Sequence, residues 1–374
     1  MGGYHESSSY WWARQLRFNT RRIGKSAWAR YRPSSVPRDY PSFSKHATKN
    51  YEPLIRRFEL HPFVTLHNPI TDVDTRINLD GQVLRHPAEL PSDIDVMIVA
   101  YPSLLHERIG LACRGKLGGR VVITFTDRVL GGYSLLHQAQ HLQDDQLIGI
   151  NATPLTAFAD HENPFRRILY NVKSVRCAVR PRTLAVEGLK ILESIAPGNY
   201  SLCNSLLELA FNCTPSNLHA PHDLLNVVRY EQGHMFTMFH EGFTEGVGRV
   251  ITAVSEERCS VAKAYGLLTP SFLDYERQTY GYVGDSITEN RRLNPALNHV
   301  PAPRSLFECK GIEDVLCALV PLTELADRVS IETPAMDALI TLWGHYLGVN
   351  PRQYGRSLGS IGLDQCSNQE LLSL

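Results

Sequence analysis

Two histidines and an aspartate, His219, His222 and Asp223, fall inside a short polar break in the stretch from Ser216 to Asn226 (SNLHAPHDLLN). Three residues further on, Arg229 and Glu231 lead into a second histidine-bearing stretch, QGHMFTMFHEGFTEG. Residues of these types support a metal site, an acid/base site or only the solvated start of a helix. His234 and His240 are six apart, which matches neither the i, i+3 nor the i, i+4 spacing of a helical metal site. The eight cysteines are scattered without a CxxC pair, as suits reduced thiols packed as small hydrophobes and not a zinc ribbon. No metal is therefore expected. Histidine is the side chain whose unperturbed pKa lies near neutrality, so acid/base work is the sharper reading of this stretch. The blander one has His222 and Asp223 capping the following helix and His240 packing in a helical core.

The elements that must position these residues are legible in outline. Asp93 to Pro102 (DIDVMIVAYP) is a short apolar run stopped by proline, the form of a strand buried on both faces of a parallel sheet. Leu104 to Leu117 reads as a helix closed by Gly118 and Gly119, and Arg120 to Phe125 as a second buried strand. This βαβ unit places ligands at its strand ends, Tyr101-Pro102-Ser103 and Thr124 to Gly132. The runs QLIGINA (146–152) and SVRCAVR (174–180) extend the sheet. After about residue 183 the period becomes helical, over 183–195, 203–212, 222–242, 244–265, 270–280, 312–329 and 333–347. Thr269-Pro270 and Thr333-Pro334 carry proline at an expected first helical position. The expected architecture is a Rossmann-like α/β domain over 1–182, followed by an all-α domain over 183–374.

Composition excludes other classes. Lys plus Arg and Asp plus Glu both total 38, so nothing in the overall balance calls for nucleic acid or an anionic membrane. No apolar run of about 18 residues is present to span a bilayer, and no apolar core of a secretion signal opens the chain, so a cytoplasmic location is expected. Charge is uneven only near the start, where Arg14, Arg17, Arg21, Arg22, Lys25, Arg30, Arg32, Arg38, Lys45 and Lys49 face Glu6 and Asp39 alone.

The helical half carries a more specific signal. His219-Ala220-Pro221 with Leu224-Leu225-Asn226, and Phe239 to Thr244 (FHEGFT) with Val247, resemble the HPP…LLN and YxEGxT segments of the opine dehydrogenase family. The stretch 302–342 (APRSLFECKGIEDVLCALVP…TPAMDALITL) resembles that family's APKSLxHRYxxEDVPxGLVP…TPxxDALI segment. Residues from about 60 to 135 are similar to its middle Rossmann part, including Val99-Ala100-Tyr101-Pro102. The resemblance implies an NAD(P)H-dependent oxidoreductase that condenses the amine of an amino acid, or of an aminocarboxylate metallophore precursor, with an α-keto acid and reduces the imine. It also implies a homodimer through the helical domain. On the matching positions, His219 is the expected catalytic histidine, Asp314 its partner and Asn226 a substrate-side residue. Pro102 and Thr124 either meet the nicotinamide or simply end their strands. A carboxylate on the far ring nitrogen is expected to raise the imidazole pKa and keep His219 protonated as an acid.

Two departures qualify this picture. The family places an arginine five residues before the aspartate, to grip a substrate carboxylate as a planar fork. Here that residue is Cys309, and Lys310 beside it is the expected substitute. The second departure is at the start of the chain, MGGYHESSSYWWARQLRFNTRRIGKSAWARYRP, which has no apolar first strand and no GxGxxG turn. Read on the family pattern, Met1-Gly2-Gly3 is the stump of that turn, Ser8 to Phe18 the helix and RRIGKSAW the second strand. The first strand is then missing or altered, which a misassigned start codon, a frameshift near the 5′ end or a decayed gene would each explain, in-frame coding sequence upstream of Met1 favouring the first. Arg30 and Arg32 follow that second strand where the ribose is discriminated, which favours NADP, with NAD the alternative. The rival reading is a catalytically impaired or truncated member that serves as a binding or dimerisation module.

Overall fold

A computed structural model describes residues 27–29, 63–68, 72–78, 82–84, 90–91 and, short gaps aside, 94–374. Among the described residues, eleven strands fall in three groups. Strand β1 (Ala27–Ala29) ends the segment read as the second strand. Strands β2 (Phe63–Asn68) and β3 (Val73–Asn78) form an antiparallel hairpin, and β4 (Gln82–Leu84) pairs in parallel with β1. The main sheet holds β5 (Val96–Val99), β6 (Val121–Phe125), β7 (Gln146–Ile150), β10 (Ser174–Arg180) and β11 (Asn199–Leu202), in the order β11-β10-β7-β6-β5. Between β7 and β10, β8 (Leu155–Ala159) and β9 (Arg166–Val172) leave the main sheet, and β9 joins β2 in a separate sheet of order β3-β2-β9-β8. The expectation of a first strand missing or altered concerns residues outside those described. Among the described residues no strand pairs with the outer edge of β5, where Ile98 is exposed.

Strands β5, β6 and β7 run parallel, as their short apolar runs require, with Val122, Ile123, Leu147 and Ile148 fully buried. Each such side chain taken from water contributes about 1.5–3 kcal/mol. β10 departs from the expected parallel arrangement: it runs antiparallel to β7, because the β8–β9 hairpin returns the chain without a crossover helix. β11 then pairs in parallel with β10, so the α/β layer continues to residue 202, past the expected boundary at 182. Helices α1 (His106–Ala112) and α2 (Gly131–Ala139) pack on each other over the sheet, and α3 (Ala185–Ile195) covers strands β7 and β10.

The helical domain contains α4 (Leu206–Phe211), α5 (His219–Leu225), α6 (Val227–Glu231), α7 (Glu245–Ala264), α8 (Phe272–Tyr280), α9 (Ile287–Arg292), α10 (Gly311–Asp314), α11 (Val320–Asp327) and α12 (Pro334–Leu347). Ser205, Thr244, Ser271 and Ser286 cap α4, α7, α8 and α9, each hydroxyl accepting a backbone N–H three residues on. Pro334 opens α12 as expected, whereas Thr269-Pro270 lies before the Ser271 cap of α8. The stretch 222–242, expected as one helix, is helical only in its first half, as the end of α5 and as α6. α6 stops at Glu231, Gly233 takes φ +68°, and the chain continues as an irregular wall to Phe243. Between α10 and α11 the chain makes a π-helical turn, Val315–Leu319, whose five side chains are all buried. No helix among the described residues is long and apolar enough to cross a membrane.

Candidate active site

His219 opens α5 and Asp314 closes α10, and these two short helices lie side by side. His219 Nδ1 is 2.9 Å from Asp314 Oδ2, and the same oxygen accepts the His219 backbone N–H at 3.1 Å. A second carboxylate makes the reciprocal link, since Asp223 of α5 accepts the Gly311 N–H at 2.9 Å. Close approach of the helices requires glycine at 311: a Cβ there would sit 2.6 Å from Trp343, 2.9 Å from Asp223 Oδ2 and 3.1 Å from His219 O. Trp343 of α12 closes the back of the joint by donating its indole N–H to Ala220 O at 2.9 Å. His222 and Asp223 do not cap the following helix. They lie inside α5 with Nδ1 and Oδ1 2.8 Å apart, and His222 Nε2 is 2.8 Å from Met238 O, which fastens the irregular wall to the helix. His240 is exposed and takes no part in the core.

The α/β domain completes the joint through Arg128, which sequence reasoning missed. In the loop after β6, Thr126, Arg128 and Leu130 all have φ near +56°, a left-handed conformation that costs a non-glycine residue about 1–2 kcal/mol. The loop carries the buried Arg128 guanidinium to 3.0 Å from Asp314 Oδ1 and 3.4 Å from Glu313 Oε1. The Glu313 carboxylate accepts the backbone N–H of Ser103 at 2.8 Å, so the ends of both β5 and β6 reach the α10 carboxylates. The only sequence signal for Arg128 is a charged residue in a strand-end loop ahead of a glycine pair.

Protonation follows from this packing. Burial pushes Asp314 up to about 7, against the opposing charges of Arg128 and Lys310 and the N–H groups of His219 and Ala220. Burial, with the positive charges of Lys310 and Arg128, lowers His219 well below its ordinary value. This reverses the expectation that the carboxylate would keep the imidazole protonated: one carboxylate is shared with Arg128, and desolvation outweighs it. The form favoured near neutrality is a neutral imidazole that donates Nδ1–H to Asp314. Nε2 has no hydrogen-bond partner among the described residues and forms the open end of the ring.

The other expected site residues divide. Lys310 precedes α10 and is open to solvent, yet it is ringed by protein; burial and Arg128 lower its pKa. Lys173, at the β9–β10 turn, is lowered to about 8 by burial and by the charge of Lys310. Neither is in an ion pair among the described residues. Asn226 is buried, and its amide nitrogen donates to His222 O and Gly242 O, both at 2.9 Å, so that nitrogen braces the wall and does not point to a ligand. Thr124 is fully buried and gives its hydroxyl to Asp127 at 2.6 Å, which removes it from a cofactor surface. Pro102 is exposed at the end of β5, beside the Ser103–Glu313 link. Arg30 and Arg32 lie outside the described residues.

The strand ends also test the fit of a dinucleotide. Gly131 and Gly132 resemble a phosphate turn in sequence, but added Cβ atoms would meet Ser103 Oγ at 2.5 Å and Thr124 Oγ1 at 2.6 Å, so both glycines serve internal packing. The exposed Pro102 stands at the end of β5, beside the Ser103–Glu313 link to α10. A pyrophosphate cradle is not among the described residues.

A mixed sheet with parallel β5–β7, joined at its strand ends to a helical domain that holds a histidine–aspartate pair, defines a dehydrogenase-type fold. Residues 202–347 match the family model for the NAD/NADP octopine/nopaline dehydrogenase alpha-helical domain. The helical domain is similar to that family's, and the chain resembles opine dehydrogenases over most of its length. It is 28% identical to an opine dehydrogenase of Arthrobacter sp. (strain 1C) over 287 residues, 74% of this chain and 80% of that protein. The fold is that of octopine dehydrogenase, solved with NADH and L-arginine (TM-score 0.68, 14% identity, 86% of this chain and 89% of that one). Yersinopine dehydrogenase with NADP+ bound shares it too (TM-score 0.62, 15% identity, 86% of this chain and 88% of that one).

Proposed function

We propose that the protein is an NAD(P)H-dependent dehydrogenase of the opine type, which condenses the amine of an amino acid or aminocarboxylate with an α-keto acid and reduces the imine. The observation that carries this reading is the buried His219–Asp314 pair at 2.9 Å, with Nε2 open and Lys310 beside it. The amine arrives largely as an ammonium ion. Neutral His219 takes its proton at Nε2, and Asp314 stabilises the imidazolium that forms. The free amine adds to the keto carbon, and His219 returns the proton to the carbinolamine hydroxyl, which leaves as water. One group thus serves as base and then acid. The nicotinamide, when bound beside Pro102, supplies the hydride that reduces the imine.

Lys310 takes the role of the family arginine by holding a substrate carboxylate, while Cys309 at the arginine's position donates its thiol to Ser305 O at 3.4 Å. Two carboxylates flank the nitrogen of any opine, and Lys173 offers the second positive charge. The eight free cysteines support a reducing, cytoplasmic setting. The division into two domains falls after β11 on this reading, and the family resemblance supports pairing of two copies through the helical domain. NADPH is the preferred cofactor if Arg30 and Arg32 face the ribose.

The test is a fluorescence titration with NADPH and NADH, followed by coupled turnover with a panel of amino acids plus pyruvate or 2-oxoglutarate. His219→Ala is expected to lower turnover by about 10²–10⁴-fold with cofactor affinity nearly unchanged. Loss of both together would indicate misfolding. No binding of either nucleotide would favour the rival reading, a non-catalytic binding module, which Cys309 also favours.

A further inference from the structure

Among the described residues, four charged side chains surround the proton-handling pair, and Arg128 alone of these comes from the α/β domain. Asp314 faces Arg128 across the domain seam, His219 on α5, and Glu313 and Lys310 on its own segment; Asp223 and His222 stand one helical turn along α5. Cys213 lies against the guanidinium. Lys310 is exposed to solvent, whereas Arg128 is buried and, among the described residues, is the cation that directly contacts the carboxylate oxygen not used by His219. Its backbone is left-handed, between two other left-handed non-glycine residues. Strain of this kind persists where the surrounding structure fixes it, and here it aims one guanidinium at Asp314 and Glu313.

We propose that Arg128 is a positioning residue of the proton-handling pair: it holds Asp314 as a carboxylate that accepts from His219 Nδ1, so that the strand-end loop of the α/β domain sets the proton affinity of the site in the helical domain. The proposal rests on His219 and Asp314 being that pair. Without Arg128 the buried carboxylate has no paired cation among the described residues, and it takes up a proton. His219 Nδ1 then loses its anionic acceptor, and the imidazolium needed in mid-reaction is no longer stabilised. Burial already carries Asp314 to about 7 with Arg128 in place, so removing the guanidinium moves its titration further up. Activity that needs the carboxylate is then lost over a higher pH range.

The experiment is a ¹⁵N-imidazole NMR titration of the full chain, which needs no substrate and so separates this proposal from the assignment of function. The His219 signal is identified by its disappearance in His219→Gln. The Asp314-linked step in that signal is expected near neutrality in the wild type, at least one pH unit higher in Arg128→Met, and between the two in Arg128→Lys. The acid limb of kcat/KM should move in parallel, with turnover at pH 7 at least about fivefold down in Arg128→Met. An unmoved step in a folded Arg128→Met protein would overturn the proposal, as would Arg128→Lys behaving like Arg128→Met. If Arg128→Met does not fold, the double variant with Asp314→Asn decides. Recovery of folding means that the orphaned carboxylate was the fault, and failure to recover means that Arg128 is structural only.

Discussion

Lys310 acts on the site in two ways that a single substitution can separate. As the candidate carboxylate holder it contributes a charge-assisted contact of about 1.5–3 kcal/mol. As a nearby positive charge it is also the second cause, after burial, that lowers His219. Lys310→Met should therefore raise KM for the keto acid by about 10–100-fold. It should also move the acid limb of kcat/KM to higher pH, because the imidazole regains proton affinity. Initial rates against keto-acid concentration at several pH values check both; a changed KM with a fixed limb would assign Lys310 to binding alone. At this scale the pairing of His219 with Asp314 was within reach of the sequence because each sits in a distinctive local motif. Arg128 and Lys173 were not, because their link to the site is purely spatial: 186 positions separate Arg128 from Asp314 along the chain. The direction of the His219 shift was illegible for the same reason, since desolvation is a property of the packed structure.

Among the elements, α5 and α10 act as one unit because Asp314 reaches the start of α5 while Asp223 reaches the start of α10. Gly311 permits this approach, and a methyl group there has no room against Trp343 or Asp223 Oδ2. Gly311→Ala should push the helices apart, and a misplacement of about 1 Å costs on the order of 10²-fold in rate. The expected result is a large fall in kcat with cofactor affinity retained, read from steady-state kinetics and nucleotide titration; near-normal kcat would mean that the joint yields without disturbing His219. The sheet and most helices could be read from apolar periodicity, but the 222–242 stretch misled. Phe236, Phe239 and Phe243 are buried at near-helical spacing, yet not on a helix. Phe239 and Phe243 gather with Phe272 around the Arg291 guanidinium, at 4.8, 5.6 and 5.7 Å, so a cation–π cluster supplies the period. Arg291 is itself held by Glu276, a buried ion pair in which the contacts are 2.8 Å.

Across the whole molecule, the two domains must keep a fixed relation for the β5 and β6 strand ends to meet α10, and a second buried arginine supplies it. Arg356, from the segment after α12, enters the α/β domain beside α1 and α2. Its Nη1 donates to Val129 O at 2.9 Å and Ser103 Oγ at 3.0 Å, its Nη2 donates to Ser103 O at 2.7 Å, and Nε donates to Glu107 at 3.2 Å. Ser103 is the same residue whose N–H holds Glu313, and Val129 follows Arg128 in the strained loop. One guanidinium therefore pins both strand ends that converge on the site. Arg356→Met removes these bonds and leaves two buried carbonyls facing an apolar side chain beside a partly solvated Glu107, a loss of about 1–3 kcal/mol. Urea unfolding should show that loss. Because the loop moves with its anchor, turnover should fall even at temperatures where the variant stays folded, and the acid limb should shift as in Arg128→Met. A destabilised protein with normal turnover and an unshifted limb would show instead that Arg356 only holds the domains together, and that the loop keeps its shape without it.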